Sequence, residues 1–517
     1  MKPIRLLSGF FTVGAWTLAS RVLGFVRDAM ILAFLGTGPL YEAYVVAFRL
    51  PNMFRRFFAE GAFNMAFIPM FSKKVEGDED AQGFAEDAFS GMASILIVLT
   101  LVSMAIMPWM IYALASGFDG QEQFSLAVEF GRITFPYVLF ISLAALLSGV
   151  LNALGRFAAA AAAPVLLNIL LVGSMAIAAY IGGDVARALV WAIPFAGAAQ
   201  LMLVWAAAKR AGFPLRLRRP RFTSEMKRLA VIAVPAALAG GVVQINLLVG
   251  QQVASYFDRA VGWLYAADRL YQLPLGVVGI AIGIVLLPDL SRRLKAEDDI
   301  GGREALSRAA EISLALTIPA AVALMVIPIA LVSVLFERGA TTADDSASIA
   351  LAVQIYGLGL PAFVMQKVMQ PLYFAREDTR SPFRFALVSM VINAVLAISL
   401  AIALGSILGW IGPAIATTAA AWAMVWLLAV GARPMGEVAR FDARFHKRIW
   451  RILFASLAMG VVLWAGNVML SGALGVPYWR ALALAVLIGL GMGSYAVFGQ
   501  ILGAFRLSEL RATLRRG

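Results

Sequence analysis

Residues 10–36 read FFTVGAWTLASRVLGFVRDAMILAFLG, apolar over most of their length yet carrying Arg21, Arg27 and Asp28. About 20 residues of helix cross the ~30 Å hydrocarbon core of a bilayer, so the stretch has the length of a membrane span. A charge near mid-bilayer costs at least about 2.5–3.5 kcal/mol on insertion scales, which demands water, a partner or a ligand. The start of the chain, MKPIRLLSGF, is basic and then apolar like a signal peptide. No small-x-small site precedes Arg21, so an uncleaved first span is expected.

Composition extends that reading to the whole chain. With 61% hydrophobic and 14% charged residues over 517, and a mean hydropathy of +0.84, the sequence is that of a polytopic membrane protein. It has no cysteine, which excludes disulfides, thiolate catalysis and cysteine-ligated metal. The single histidine, His446, sits in RFHKR as a surface residue. No G-x-x-x-x-G-K-[ST] loop and no carboxylate–histidine cluster is present, so neither a built-in ATPase nor a metal hydrolase is indicated. No cofactor is expected.

Apolar runs place about 14 transmembrane helices. They cover 9–36, 40–71, 88–115, 124–154, 158–181, 185–208, 228–257, 261–290, 308–336, 346–375, 383–404, 410–431, 449–470 and 478–504. An even number puts both termini on one side. Segments on that side hold about 31 of the 43 lysines and arginines, and the opposite loops hold about four, Arg187, Arg259, Arg338 and Arg480. By the positive-inside bias both termini are cytoplasmic. The basic connector KRAGFPLRLRRPRF between two spans fits anionic membrane lipids better than nucleic acid.

An internal repeat divides the spans. Pro136 and Asn168 are separated by the same 32 residues as Pro361 and Asn393, and IPMFSK (68–73) matches LPDLSR (287–292). Both shifts correspond to six helices. The expected architecture is all-α, with two six-helix lobes in a pseudo-twofold arrangement plus two C-terminal helices. The lobes are 1–210 and 211–431, and the extra pair occupies 432–517.

About eight basic residues fall inside spans and are not explained by topology: Arg21, Arg27, Arg49, Arg55, Arg56, Arg132, Arg269 and Lys367. In EAYVVAFRLPNMFRRFFAEG (42–61), Glu42, Arg49 and Arg56 recur every seven residues, with Asn52 and Glu60 four to either side of Arg56. That spacing forms one polar stripe, and Pro51 bends the helix. Arg21 and Asp28 share a face of the first span, where Gly24 leaves room for a bend. The eighth span supplies Asp268 and Arg269. Each arginine could snorkel or pair with a nearby carboxylate, but the arginines outnumber those carboxylates. Excess guanidinium facing a cavity points to an anionic ligand, and arginine suits phosphate. Arg132 and Lys367 are ambiguous, structural in the first reading and cavity-lining in the second.

SRVLGFVRDAM, VAFRLPNMFRRFFAEGAFNMAFIP and LYAADRLYQLPLGVVGIAIGIVLLPDLSR resemble the MurJ/MviN lipid II flippases, of the multidrug/oligosaccharidyl-lipid/polysaccharide exporter superfamily. The resemblance covers the whole chain. It implies a bacterial inner-membrane flippase, not an enzyme, that moves lipid II from the cytoplasmic to the periplasmic leaflet for peptidoglycan synthesis. Arg27, Arg55 and Arg269 match the cavity arginines that would engage the diphosphate, and Arg21 matches a further arginine of span 1. Glu42 takes an acidic position. Asp28, Asn52, Arg56 and Glu60 fall within the same motifs, and the last two spans would hold the lipid tail. Membrane potential is the expected driving force. The alternative is an exporter of another lipid-linked oligosaccharide, or of drugs, on this fold. Cell-wall synthesis or division proteins are candidate partners for the loops. Two departures stand out: span 7 offers Gln244, Asn246, Gln251 and Gln252, and span 11 Ser389 and Asn393, where some relatives place sodium-binding carboxylates. Gln272 replaces an acid that some relatives carry.

Overall fold

This computed structural model describes residues 3–55, 62–77, 79–221 and 223–505. All regular structure there is helical, and nine helical segments among the described residues are long and apolar enough to cross a membrane. A helix satisfies its own backbone polar groups, which hydrocarbon requires. Packing divides the chain into two units, residues 1–262 with 339–341, and residues 263–338 with 342–517.

The first unit contains α1 (Pro3–Leu35), α2 (Pro39–Arg55), α3 (Ala62–Glu76), α4 (Ala81–Ala105), α5 (Met107–Leu114), α6 (Glu122–Thr134), α7 (Tyr137–Ala153), α8 (Ala158–Tyr180), α9 (Val185–Arg210) and α10 (Ser224–Ala254). Helix α1 lies against α8, α8 and α7 against α9, α2 against α6, and α3 against α10. Stacked rings of Phe67, Phe71 and Phe84, with centroids 5.5 Å apart, join α3 to α4. The repeat assigns the span at 228–257 to the second lobe, whereas by packing α10 belongs to the first unit. Its C-terminal end is tied there by polar contacts. Gln251 donates to the Leu114 carbonyl, Gln252 binds the Ser116 hydroxyl and backbone, and the Ser255 hydroxyl accepts from Gly117 N–H at 3.0 Å.

The second unit contains most of α11 (Ala260–Lys295), then α12 (Asp299–Val326), α13 (Pro328–Phe336), α14 (Ala343–Phe374), α15 (Arg380–Leu408), α16 (Gly412–Ala432), α17 (Ala443–Met469), α18 (Ser471–Leu474) and α19 (Arg480–Ile501). Its core gathers Leu314, Val322, Val364, Leu372, Tyr373 and Leu428. Polar side chains inside it bind carbonyls of neighbouring helices: Tyr373 to Leu428, Thr418 to Ile355, Gln366 to Ala421, and Ser389 to Ala420. The C-terminal pair α17 and α19 packs on itself and on α12, where Tyr495 donates to the Ala315 carbonyl at 2.7 Å.

Helix starts are fixed by short polar caps that accept a backbone N–H: Asp80, Asp184, Thr223, Asp298, Thr342 and Asp442. Segments that the charge count assigns to one side of the membrane touch each other. On the basic side the buried Glu86 of α4 accepts from Arg216 N–H and pairs with Arg218, while Ser90 accepts from Arg218 N–H, so the basic connector lies along α4. On the other side Ala340 N–H donates to the Ala33 carbonyl at 2.9 Å and Thr341 to the Leu32 carbonyl at 2.8 Å.

This last contact depends on Gly339, whose φ of +60° is left-handed and whose absent Cβ would collide with the Ala33 carbonyl oxygen. Gly182 has φ of +68° but open space around it. Alanine at Gly182 should therefore cost only the conformational term, about 1 kcal/mol. Alanine at Gly339 should cost about 2 kcal/mol or more, because the segment must also leave α1. Thermal melting of both purified variants checks the difference, and equal losses would remove the steric argument.

Candidate functional site

The opening stretch is helical as far as Leu35, so Arg21, Gly24, Arg27 and Asp28 project from one continuous α1. Successive residues point about 100° apart, yet Arg27 is long enough to turn back on its neighbour. Its Nε and Nη2 both donate to Asp28 Oδ1, at 3.0 and 2.7 Å. Its Nη1 donates to Asn168 Oδ1 of α8 at 2.9 Å. Asn168, 4% exposed, donates in turn to the Ser20 carbonyl at 3.0 Å. Gly24 faces this amide, and a Cβ there would stand 3.6 Å from Asn168 Nδ2. The guanidinium is thus held on two edges, and both charged side chains remain about 15% exposed.

Helix α2 carries two different polar ends. Glu42 is 1% exposed, and its carboxylate accepts from Val261 N–H at 3.1 Å, the first turn of α11, with the buried Gln123 beside it. A carboxylate at a helix N-terminus is favourable for both partners. Glu42, the first member of the polar stripe and an acidic position of the family motif, is therefore enclosed in this structure. Arg55, half-buried, lies thirteen residues further on, roughly 20 Å along the axis, so Glu42 and Arg55 cannot grip the same small group. Asn52, beside Pro51, spends one amide hydrogen on the Phe48 carbonyl of its own helix at 3.1 Å. Arg56 and Glu60 lie outside the described residues.

In the second unit, LYAADRLYQ forms consecutive turns of α11. Leu264, Ala267, Leu270 and Tyr271 are buried, and the Tyr271 ring stacks on Phe363 of α14 at 5.2 Å and meets Tyr356 at a tilt, 5.0 Å away. The other face carries Tyr265, Asp268, Arg269 and Gln272 at helical spacing. The Arg269 guanidinium lies over the Tyr265 ring, 4.3 Å from its centroid, and donates to the Tyr265 hydroxyl. Gln272 donates to Asp268 one turn back. Stacking orients a guanidinium while its N–H fork stays in the ring-parallel plane.

Arg132 is exposed and donates to the Met104 carbonyl at 3.1 Å, and Lys367 is exposed on α14. Of the polar residues considered for sodium, Gln251, Gln252 and Ser389 serve the interhelical contacts already described. The side chains of Gln244 and Asn246 lie outside the described residues. Among the described residues no three Asp, Glu or His gather as a metal site.

The residue that spacing alone undervalued is Asn168. It marks the repeat, and an asparagine within the apolar run LLNILL is itself a sign that something polar faces it. Its repeat counterpart Asn393 is likewise buried, at 2%.

The sequence matches the family described as Lipid II flippase MurJ over residues 31–488. The probable lipid II flippase MurJ of Rhizobium meliloti (strain 1021) is 43% identical over 522 residues, spanning 99% of this chain and 97% of that protein. Its counterpart in Rhizobium tropici is 45% identical over 400 residues, 76% of this chain and 75% of the relative. A solved lipid II flippase MurJ in an inward closed conformation has a TM-score of 0.78 at 24% identity, covering 95% of this chain and 98% of that one. An inward-facing MATE family multidrug resistance transporter of the MOP superfamily gives 0.68 at 13% identity, over 82% and 96%. These two likenesses speak for the fold. The family match and the near full-length relative speak for descent: this chain belongs to the lipid II flippase MurJ family.

Proposed function

We propose that this multi-pass membrane protein carries lipid II from the cytoplasmic to the periplasmic leaflet by alternating access, with both termini in the cytoplasm. The observation that carries the reading is Arg27, set inside a membrane helix and fixed on two edges by Asp28 and Asn168. Arg27, Arg55 and Arg269, with Arg21, engage the diphosphate in this reading. Asp28 and Asn168 set the angle of the Arg27 fork, and Tyr265 sets that of Arg269. Glu42 acts at a distance by holding the start of α11. Asn52, Arg56 and Glu60 keep the place the family motif gives them. Moving an anion out of a negative interior is favourable by about 2.3 kcal/mol per charge per 100 mV, so membrane potential can drive the step. The tail stays in lipid beside the C-terminal helices, and anionic headgroups meet the basic connectors.

The drug-exporter reading has the fold likeness in its favour but fits the polar groups poorly, since a cationic drug calls for acids where this chain places guanidinium. A flippase for another diphosphate-linked saccharide uses the same arginines. Depleting the protein in its own host separates them: lysis with lipid II accumulating on the inner face supports the proposal, and intact walls with lost surface polysaccharide support the rival.

Arg27→Lys and Arg269→Lys keep charge and lose the fork, and should lower flipping by roughly tenfold or more in cells carrying only the variant. Undiminished flipping by Arg27→Ala and Arg269→Ala would end the diphosphate role. Asn168→Ala leaves Arg27 charged but unheld from α8, and a fall of about fivefold is expected. The absence of cysteine makes orientation simple to measure. In intact cells an impermeant maleimide should label a cysteine placed at Arg259 or Tyr478 and spare one at Arg219 or Glu377; the reverse pattern would invert the topology.

A further inference from the structure

The basic residues at the start of α17 exceed what orientation in a membrane needs. Glu311 of α12, with a side chain 6% exposed, takes three guanidinium groups: Arg308 at 2.9 Å, Arg448 at 3.2 Å and Arg444 at 3.6 Å. Asp442, which caps α17, stands 3.5 Å from Arg308. The first turn of α17 has no acid, and its opening turns hold Arg444, Lys447, Arg448 and Arg451. A helix N-terminus already bears about half a positive charge, so bases are unfavourable there unless an anion is near. Arg308, Arg444, Lys447, Arg448 and Arg451 gather at this end of the α12–α17 seam with Glu311 and Asp442, and beside them Arg303 pairs with Glu437.

Further along the same seam the surface turns apolar. Trp450, Phe454, Leu457, Val461, Trp464 and Val468 recur at three- and four-residue spacing on α17 and are each about half exposed or more. On α12, Ile312 and Leu316 are similarly exposed. Between the helices lies a cavity of about 460 Å³ whose walls include Val322, Val326, Gly460 and Trp464. Arg448 and Val461 are thirteen residues apart, roughly 20 Å along the axis. One leaflet, headgroup included, is about as thick.

We propose that the α12–α17 seam holds one anionic glycerophospholipid of the adjacent leaflet. Its phosphate sits on Arg444 and Lys447, with Arg308 and Arg448 fixed behind them by Glu311. One acyl chain follows the α17 stripe into the cavity. Glu311 has the task of keeping three guanidinium groups in one place, which a row of snorkelling arginines would not do. This lipid is a bound component of the second unit and is distinct from the lipid that is transported.

Native mass spectrometry of the purified full-length chain, titrated with phosphatidylglycerol and with phosphatidylcholine of the same acyl chains, tests this. Phosphatidylglycerol should be retained in preference. Arg444→Ala with Lys447→Ala should weaken it roughly 30-fold and leave phosphatidylcholine unchanged. Val461→Trp, which obstructs the cavity mouth, should weaken both lipids. All three positions are exposed, and an unchanged melting temperature separates lipid loss from misfolding. Equal retention of the two lipids, or phosphatidylglycerol indifferent to the double variant, overturns the proposal. One-for-one displacement by undecaprenyl diphosphate also overturns it, by making the seam part of the transported lipid's path.

Discussion

Hydrocarbon offers no hydrogen bonds, so every polar group that enters the membrane must find its partner within the protein. The backbone meets that demand by being helical. Side chains meet it by reaching for carbonyls of neighbouring helices, as Tyr373, Thr418, Gln366 and Ser389 do. The same demand explains Arg27. A guanidinium brought into a span is tolerable when a carboxylate neutralises it and an amide orients it, and both are present in Asp28 and Asn168. The neutralising group lies on the same helix, so the charge pairing is local to α1, while the amide contact ties α1 to α8.

The class of fold was legible because hydropathy is written along the chain, and the helices follow it. Lys74 meets Glu225, Arg218 meets Glu86 and Arg303 meets Glu437, each joining segments the charge count puts on one side. The candidate site was legible only in part. Helical spacing grouped Glu42, Arg49 and Arg56 into one stripe, but spacing says which residues share a face, not what covers that face along its length. At its first position the stripe is enclosed by α6 and the start of α11. Asn168 was hidden for a related reason: its partner is 141 residues away in sequence, and no local pattern reports a contact of that range.

Arginine therefore has three distinct uses in this chain. In the basic connector it pairs with a buried acid of a neighbouring helix, as Arg218 does with Glu86. Inside the spans it is oriented by others, as Arg27 and Arg269 are. Around Glu311 it is gathered, with one buried acid setting the positions of three. Counting net charge, +13, merges these uses; only partners and burial separate them.

The three residues Gly339–Thr341 pack with the first unit although the helices that flank them, α13 and α14, belong to the second. A chain severed at residue 262 would therefore leave the first unit without Gly339–Thr341, the segment whose backbone and hydroxyl close off the last carbonyls of α1.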